Sequence, residues 1–292
     1  MDLREQRKPI RPNTSSSEEY YRSVQSGYDL LAPSYDQDIG GNAIGIRMRE
    51  IFRQSLRDVF PGGQRLFEIG CGSGIDSLWL AGLGFSIVAT DISGKMIVEV
   101  DRKAKRDGLQ SRIETQKLAA GEIGKLSERF GEGYFDGGFC HAGALNMEPA
   151  LPKVVSQVAS LIRPGGFFVC SIINKVSLFE VLFYLAVLRP RKAFRRLDNV
   201  VPIPISRVTP LNRFVVPTHF YSPNQIARLF GPAFSMLRIR GLEIFLPPSN
   251  LADYYQAARP LFLPLELLEN RLSTKWPIHS WGHHTICILR RR

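Results

Sequence analysis

Apolar and polar positions fall into blocks along most of the chain. The first 18 residues carry no apolar run, which predicts a flexible tail and no secretory leader. Apolar positions at helical spacing occupy 19–31 and 42–59, and Phe60-Pro61-Gly62-Gly63 ends the second helix. From there, short apolar runs alternate with amphipathic stretches. The runs predict strands at 64–69, 85–90, 135–139 and 167–172, with a further strand at 112–116. Helices fall at 75–83, 93–107 and 152–162, with Ser93 as an N-cap and Gly108 just past a C-terminus. Arg163-Pro164-Gly165-Gly166 reads as a turn. This β-α-β-α order with short Gly/Pro punctuation implies a mostly parallel sheet covered on both faces.

After the fifth strand this rhythm breaks. Residues 176–188 form an apolar stretch interrupted by Glu180. It is shorter than the roughly 20 residues that span a bilayer. Arg189, Arg191, Lys192, Arg195 and Arg196 follow, then a segment with Pro202, Pro204, Pro210 and Pro217. A helix resumes at Ser222-Pro223 and runs to Phe230, with strands at 235–239 and 285–289.

Composition is that of a globular chain: 292 residues, 44% hydrophobic and 22% charged, which excludes disordered and collagen-like classes. The net charge of +11 sits entirely in 175–292, which holds 17 Lys/Arg against 6 Asp/Glu. That excess brings in nucleic acid or an anionic membrane surface as partners. Cys71, Cys140, Cys170 and Cys287 have neither zinc-knuckle nor CxxC spacing. They read as small buried apolar residues in a reducing compartment, which places the chain in the cytoplasm, at most peripheral to a membrane.

The densest chemistry lies in Glu68-Ile69-Gly70-Cys71-Gly72-Ser73-Gly74, between a strand and a helix. The dinucleotide pattern G-x-G-x-x-G fails here, because its third position is Ile75 or Ser77, and no Gly-Lys-Ser/Thr follows for a P-loop. Spacing G-x-G-x-G with an acid two residues earlier, and Asp91 at the end of the next strand, resembles motif I of class I S-adenosylmethionine-dependent methyltransferases. The segment Tyr28-Asp29-Leu30-Leu31-Ala32-Pro33-Ser34-Tyr35-Asp36 resembles the Y-D-x-x-A-x-x-Y-D opening of the family's small-molecule, methyltransferase type 11-like branch.

The resemblance implies a doubly wound, mostly parallel seven-stranded Rossmann-like α/β sheet with an antiparallel last strand. It implies S-adenosyl-L-methionine as cofactor, with Gly70, Cys71, Gly72 and Gly74 as the loop beneath it and Glu68 as the motif acid. Asp91 would accept the ribose hydroxyls, since a carboxylate matches the two donors of a cis-diol. Ile92 and Met96 would enclose the adenosine, Met96 having an equal reading as a core residue. Ala119 and Ala120 would contact the adenine through backbone groups, because the usual Asp is absent there. Tyr28 and Tyr35 would close over the cofactor. The implied organisation is a tail (1–18), a helical lid (19–60), the cofactor core (61–174), an apolar and basic insertion capping the substrate (175–220), and the rest of the sheet (221–292) with an insertion at 248–282.

Methyl transfer is an in-line displacement for which the protein aligns the nucleophile and excludes water. The methyl group would point over the end of the fourth strand, at Cys140-His141-Ala142-Gly143-Ala144-Leu145-Asn146. His141 is a candidate base or substrate-orienting group; its alternative is a polar residue bonded to the lid or cofactor. Tyr35 is a second catalytic candidate, and Asn146 reads as a structural amide. His219, His283 and His284 lack any recognised metal spacing, and adjacent histidines in a strand face opposite ways, so no metal is assigned. The expected acceptor is a small apolar or lipid-like molecule, with contact to an anionic membrane. An RNA-modifying methyltransferase is the alternative, although neither N/D-P-P-Y/F nor a Pro-Cys nucleophile is present. A non-catalytic S-adenosylmethionine-binding protein is the third reading.

Overall fold

In the computed structural model, residues 17–40, 42–198, 200–204 and 215–292 are described. The expected tail and Pro210 lie outside them, apart from the tail's last two residues. Three helices lead in: α1 (Ser17–Leu31), α2 (Tyr35–Gly40) and α3 (Ala43–Val59), the last capped by Asn42, whose Oδ1 accepts the Gly45 N–H at 2.7 Å. Strands and helices then alternate as expected: β1 (Arg65–Ile69), α4 (Ile75–Gly82), β2 (Ser86–Asp91), α5 (Gly94–Arg106), β3 (Ile113–Lys117), α6 (Lys125–Phe130), β4 (Phe135–Cys140), α7 (Leu151–Leu161) and β5 (Ile162–Ile173). Ser93 caps α5, accepting from the Met96 N–H. Helix α6 was not expected.

The remaining elements are α8 (Leu178–Ala186), α9 (Pro190–Ala193), β6 (Val200–Pro204), β7 (Val215–His219), α10 (Pro223–Phe230), β8 (Phe234–Leu242), α11 (Ala252–Ala257), α12 (Arg259–Leu272) and β9 (His284–Arg291). Seven strands form one sheet in the order β3-β2-β1-β4-β5-β9-β8. The first five are parallel, and β9 lies antiparallel between β5 and β8. The doubly wound fold class is therefore as expected.

Two expectations change. Arg163-Pro164-Gly165-Gly166 lies inside β5, not before it. Phe135 faces Ile162 while Gly137 faces Phe167, so the turn is a bulge in a continuous strand, with Gly165 at φ +79. The proline-rich stretch also contains a two-stranded ribbon, β6 against β7, in which Pro202 faces Pro217. A two-stranded ribbon is all edge, so a missing N–H costs little there.

Apolar layers cover both faces of the sheet. Phe67, Phe135, Phe168, Phe230 and Phe234 pack on one; Phe52, Leu56, Phe139, Val169 and Ile286 pack on the other. All four cysteines are buried free thiols, and Cys170 faces Cys287 across β5 and β9. The carboxyl ends of β1, β2 and β4 open on one edge of the sheet, where order reverses between β1 and β4. That switch point is where open α/β sheets bind ligands.

Candidate functional site at the carboxyl edge of the sheet

The glycine loop leaves β1 with Gly70, Gly72 and Gly74 at φ +68, +52 and +79, a region that side chains avoid. A Cβ on Gly70 would also lie 2.5 Å from the Cβ of Ala144. The loop thus needs glycine for both backbone and space. Above it is a cleft of about 910 Å³, open mouth included, and Glu68, Gly70, Cys71, Gly72, Asp91, Ile92, Ala119, Ala120, His141, Tyr28 and Tyr35 all line it. Two expected residues do not line it. Gly74 packs beneath the loop, where an added Cβ would lie 2.8 Å from Val100, and Met96 is fully buried on α5. For Met96 the core role prevails.

Asp91 ends β2 buried, with Oδ2 accepting the Gly72 N–H and Oδ1 the Ser93 N–H, each at 2.8 Å. Each oxygen keeps a second lone pair for a ligand. Burial pushes its pKa up to about 6, against the pull of those two N–H groups. Glu68, equally buried, accepts the Ser77 hydroxyl; burial, with the neighbouring Asp76 charge, pushes it up to about 8. The cleft floor therefore carries carboxyls that ionise readily once a cation arrives.

His141 follows β4. Its ring stacks on Phe52 with centroids 4.0 Å apart, and Nδ1 lies 2.8 Å from Asp76 Oδ2. Burial would raise Asp76, yet His141 and the guanidiniums of Arg49 and Arg53, at 2.5 and 2.9 Å, hold it well below the usual carboxylate range. An ionised carboxylate only accepts, so Nδ1 carries the proton and Nε2 presents its lone pair. Nε2 is buried without a hydrogen-bond partner among the described residues. Burial lowers the imidazole pKa despite the Asp76 charge, which keeps the ring neutral. Sequence reading missed Asp76 and Arg49, although Asp76 stands two residues past the glycine loop in the first turn of α4.

The helical opening covers the cleft. Tyr28 donates its hydroxyl to Met147 Sδ, and the Tyr35 ring sits against Gly72, 3.1 Å from where a Cβ would be. Asp29 accepts from the Ser93 hydroxyl and the Lys95 N–H; Asp36 accepts from the Ser73 hydroxyl and the Lys103 ammonium. Each Tyr-Asp pair thus combines a ring on the cleft with an acid that fastens the helices to the core. Tyr20 and Tyr21, also unforeseen, line the cleft from α1, and Tyr21 donates to Glu148 at 2.7 Å. Glu148 in turn accepts the Gly121 N–H at 2.9 Å, so a carboxylate reaches the stretch after β3 from another element.

Asn146 is fully buried, donating to the carbonyls of Ile173 and His219 and accepting the Ile173 N–H. It is a structural amide. The histidines differ from expectation. His219 stacks on Tyr221, while His283 precedes β9 instead of lying in it, so its ring shares a side with His284 and their Nδ1 atoms lie 3.0 Å apart. The opposite-face argument fails because His283 is outside the pleat.

Residues 66–166 match the family model for a methyltransferase domain. The ubiquinone biosynthesis O-methyltransferase of Burkholderia vietnamiensis is 31% identical over 134 residues, covering 44% of this chain and 55% of that one. The chain thus spans about half the length of the curated relatives it matches. Among solved structures, the [4+2]-cyclase SpnF superposes with a TM-score of 0.60 at 15% identity, covering 97% of this chain and 98% of that one. The 1,6-didemethyltoxoflavin-N1-methyltransferase of Burkholderia thailandensis, solved with bound 1,6-didemethyltoxoflavin and S-adenosylhomocysteine, gives 0.56 at 15% identity, covering 97% and 93%. Fold, glycine loop and domain match agree that residues 66–166 are a methyltransferase domain, set in the fold of S-adenosylmethionine-dependent methyltransferases.

Proposed function

We propose that this protein transfers the methyl group of S-adenosylmethionine to an oxygen or nitrogen of a small, largely apolar acceptor. The supporting observation is His141: a neutral imidazole on the cleft wall, oriented by Asp76, with a buried and unpartnered Nε2. That arrangement suits a base that takes the acceptor's proton as the methyl moves. The relative named for ubiquinone O-methylation favours oxygen. In this reading Asp91 receives the ribose hydroxyls, Glu68 faces the cationic part of the cofactor, and Arg49 pairs its carboxylate. Tyr28 and Tyr35 exclude water. Incubating cell extract with methyl-labelled S-adenosylmethionine and partitioning the products tests this. Label in the organic fraction, lost with His141→Gln, is expected; label in nucleic acid alone would support the RNA-modifying reading.

The proposal extends to a peripheral position on an anionic membrane, from the cytoplasmic side. No helix among the described residues is long and apolar enough to cross one. Yet α8 and α12 are inverted. In each the single fully buried side chain is an acid, Glu180 or Glu269, while Leu182, Leu185, Leu261 and Leu267 face outward. Exposed Arg189, Arg191, Lys192 and Lys275 lie in or beside these segments. Leucines flanked by cations fit an interface with acidic headgroups. Sedimentation with phosphatidylglycerol vesicles at low salt is expected to carry the protein down, whereas no binding would remove this extension.

A further inference from the structure

Outside the cleft, the end of β8 and the start of β9 bring Glu243, His283 and His284 together. His283 Nδ1, His284 Nδ1 and Glu243 Oε2 form a triangle with edges of 3.0, 3.3 and 3.3 Å. Donors at 2.0–2.1 Å from a tetrahedral zinc ion stand roughly 3.3–3.4 Å apart. The three atoms are thus spaced as ligands of one ion. Glu243 is 3% exposed and His284 6%. Among the described residues no Lys or Arg pairs with Glu243, and its Oε1 is buried without a hydrogen-bond partner. A buried carboxylate with only imidazoles beside it lacks a compensating cation. A carboxylate also lies behind His283. His283 Nε2 faces Glu180 Oε1 at 3.7 Å, and Glu180 is held by Arg196 at 2.7 Å. A carboxylate behind the far ring nitrogen orients a metal-binding histidine.

We propose that Glu243, His283 and His284 bind a divalent transition-metal ion of the zinc class. Two imidazoles and one carboxylate suit such an ion better than magnesium or calcium. Glu243 Oε1 or a water completes the coordination. The site joins β8 to β9 and, through Glu180, to α8, so its role is to hold these segments together. It is independent of the methyl-transfer reading.

The experiment uses the full chain, stripped with a chelator and titrated with Zn²⁺ and Co²⁺. About one equivalent of zinc is expected to bind, and cobalt is expected to give the visible ligand-field bands of a low-symmetry site. Glu243→Gln and His284→Ala are expected to lose the stoichiometric site while keeping their circular dichroism and S-adenosylmethionine affinity. Glu180→Gln, behind His283, is expected to weaken zinc by roughly 10–100-fold. Should the ligand variants fail to fold, the wild-type cobalt spectrum and stoichiometry decide. Absence of a stoichiometric site in the wild type, or unchanged zinc binding in folded Glu243→Gln, overturns the proposal.

Discussion

Replacing Asp91 by Asn tests the cofactor assignment most directly. The carboxylate spends one lone pair on each side, on the N–H groups of Gly72 and Ser93 at 2.8 Å, and keeps the others for the cleft. An amide has a single acceptor oxygen, so its NH₂ meets one of those N–H groups, and a ribose hydroxyl loses its partner. A hydrogen bond to a charged acceptor contributes about 1.5–3 kcal/mol. Losing one, with the misfit, should weaken S-adenosylmethionine by more than about tenfold. The pH dependence should change as well. Burial raises Asp91 from 3.8 to about 6; a ligand that needs the ionised form therefore binds roughly tenfold more weakly for each pH unit below that value. Calorimetric titration between pH 5 and pH 8 should show this limb near 6 in the wild type and not in Asp91→Asn. Affinity within about twofold of wild type, or an unchanged limb, would refute the ribose role.

His141→Gln should lower turnover by roughly 10²–10⁴-fold, the range of a general base, and change the S-adenosylmethionine affinity little; rapid-quench product formation checks it, and full activity removes the base. Asp76→Asn should raise the fraction of the wrong imidazole tautomer and slow turnover in the same direction, with NMR of the ring nitrogens as readout. Glu68 has its folded pKa raised from 4.5 to about 8, so its contribution to stability is present below the unfolded value and is lost as pH rises through 8. Glu68→Gln should therefore melt like wild type at about pH 5 and at a higher temperature than wild type at about pH 9, read by calorimetry without ligand. Asp36→Ala removes the contacts to Ser73 and Lys103; stopped-flow should show faster cofactor release with an unchanged fold.

The sequence carried the central sheet well, because its signals are local. Short runs punctuated by glycine and alternating with helical stretches mark the parallel strands, and Ser93 and Ser222 cap α5 and α10 as their positions suggest. The glycine loop and Asp91 were legible as a family resemblance, carried by their spacing along the chain. Asp76, Arg49 and Glu148 were not, since an acid in a helix gives no sign that it will meet a histidine 65 residues away. His283 illustrates the complementary failure. Strand alternation was applied one residue too early, and one residue reverses the face.

The inverted helices show why the charge of residues 175–292 misleads when read as a total. Composition makes α8 an apolar helix, yet Leu182 and Leu185 face out because Glu180 has a stronger claim on the interior. Two guanidiniums, Arg195 at 3.3 Å and Arg196 at 2.7 Å, meet that carboxylate. Glu269 does the same for α12, accepting the N–H groups of Glu243, Ile244 and Phe245. Leaving Glu269 outside would strand the buried N–H groups of Glu243 and Ile244, and leaving Glu180 outside would strand the buried Arg196 guanidinium, each costing about 1–3 kcal/mol. Exposing a leucine forfeits a comparable amount, about 1.5–3 kcal/mol, and a surface that covers it restores that. The acids therefore fix the orientation of the helices and leave Leu182, Leu185, Leu261 and Leu267 exposed, the feature on which the proposed membrane contact rests. Part of the basic excess serves inside the protein, as with Arg196, and only the remainder is free to meet an anionic surface.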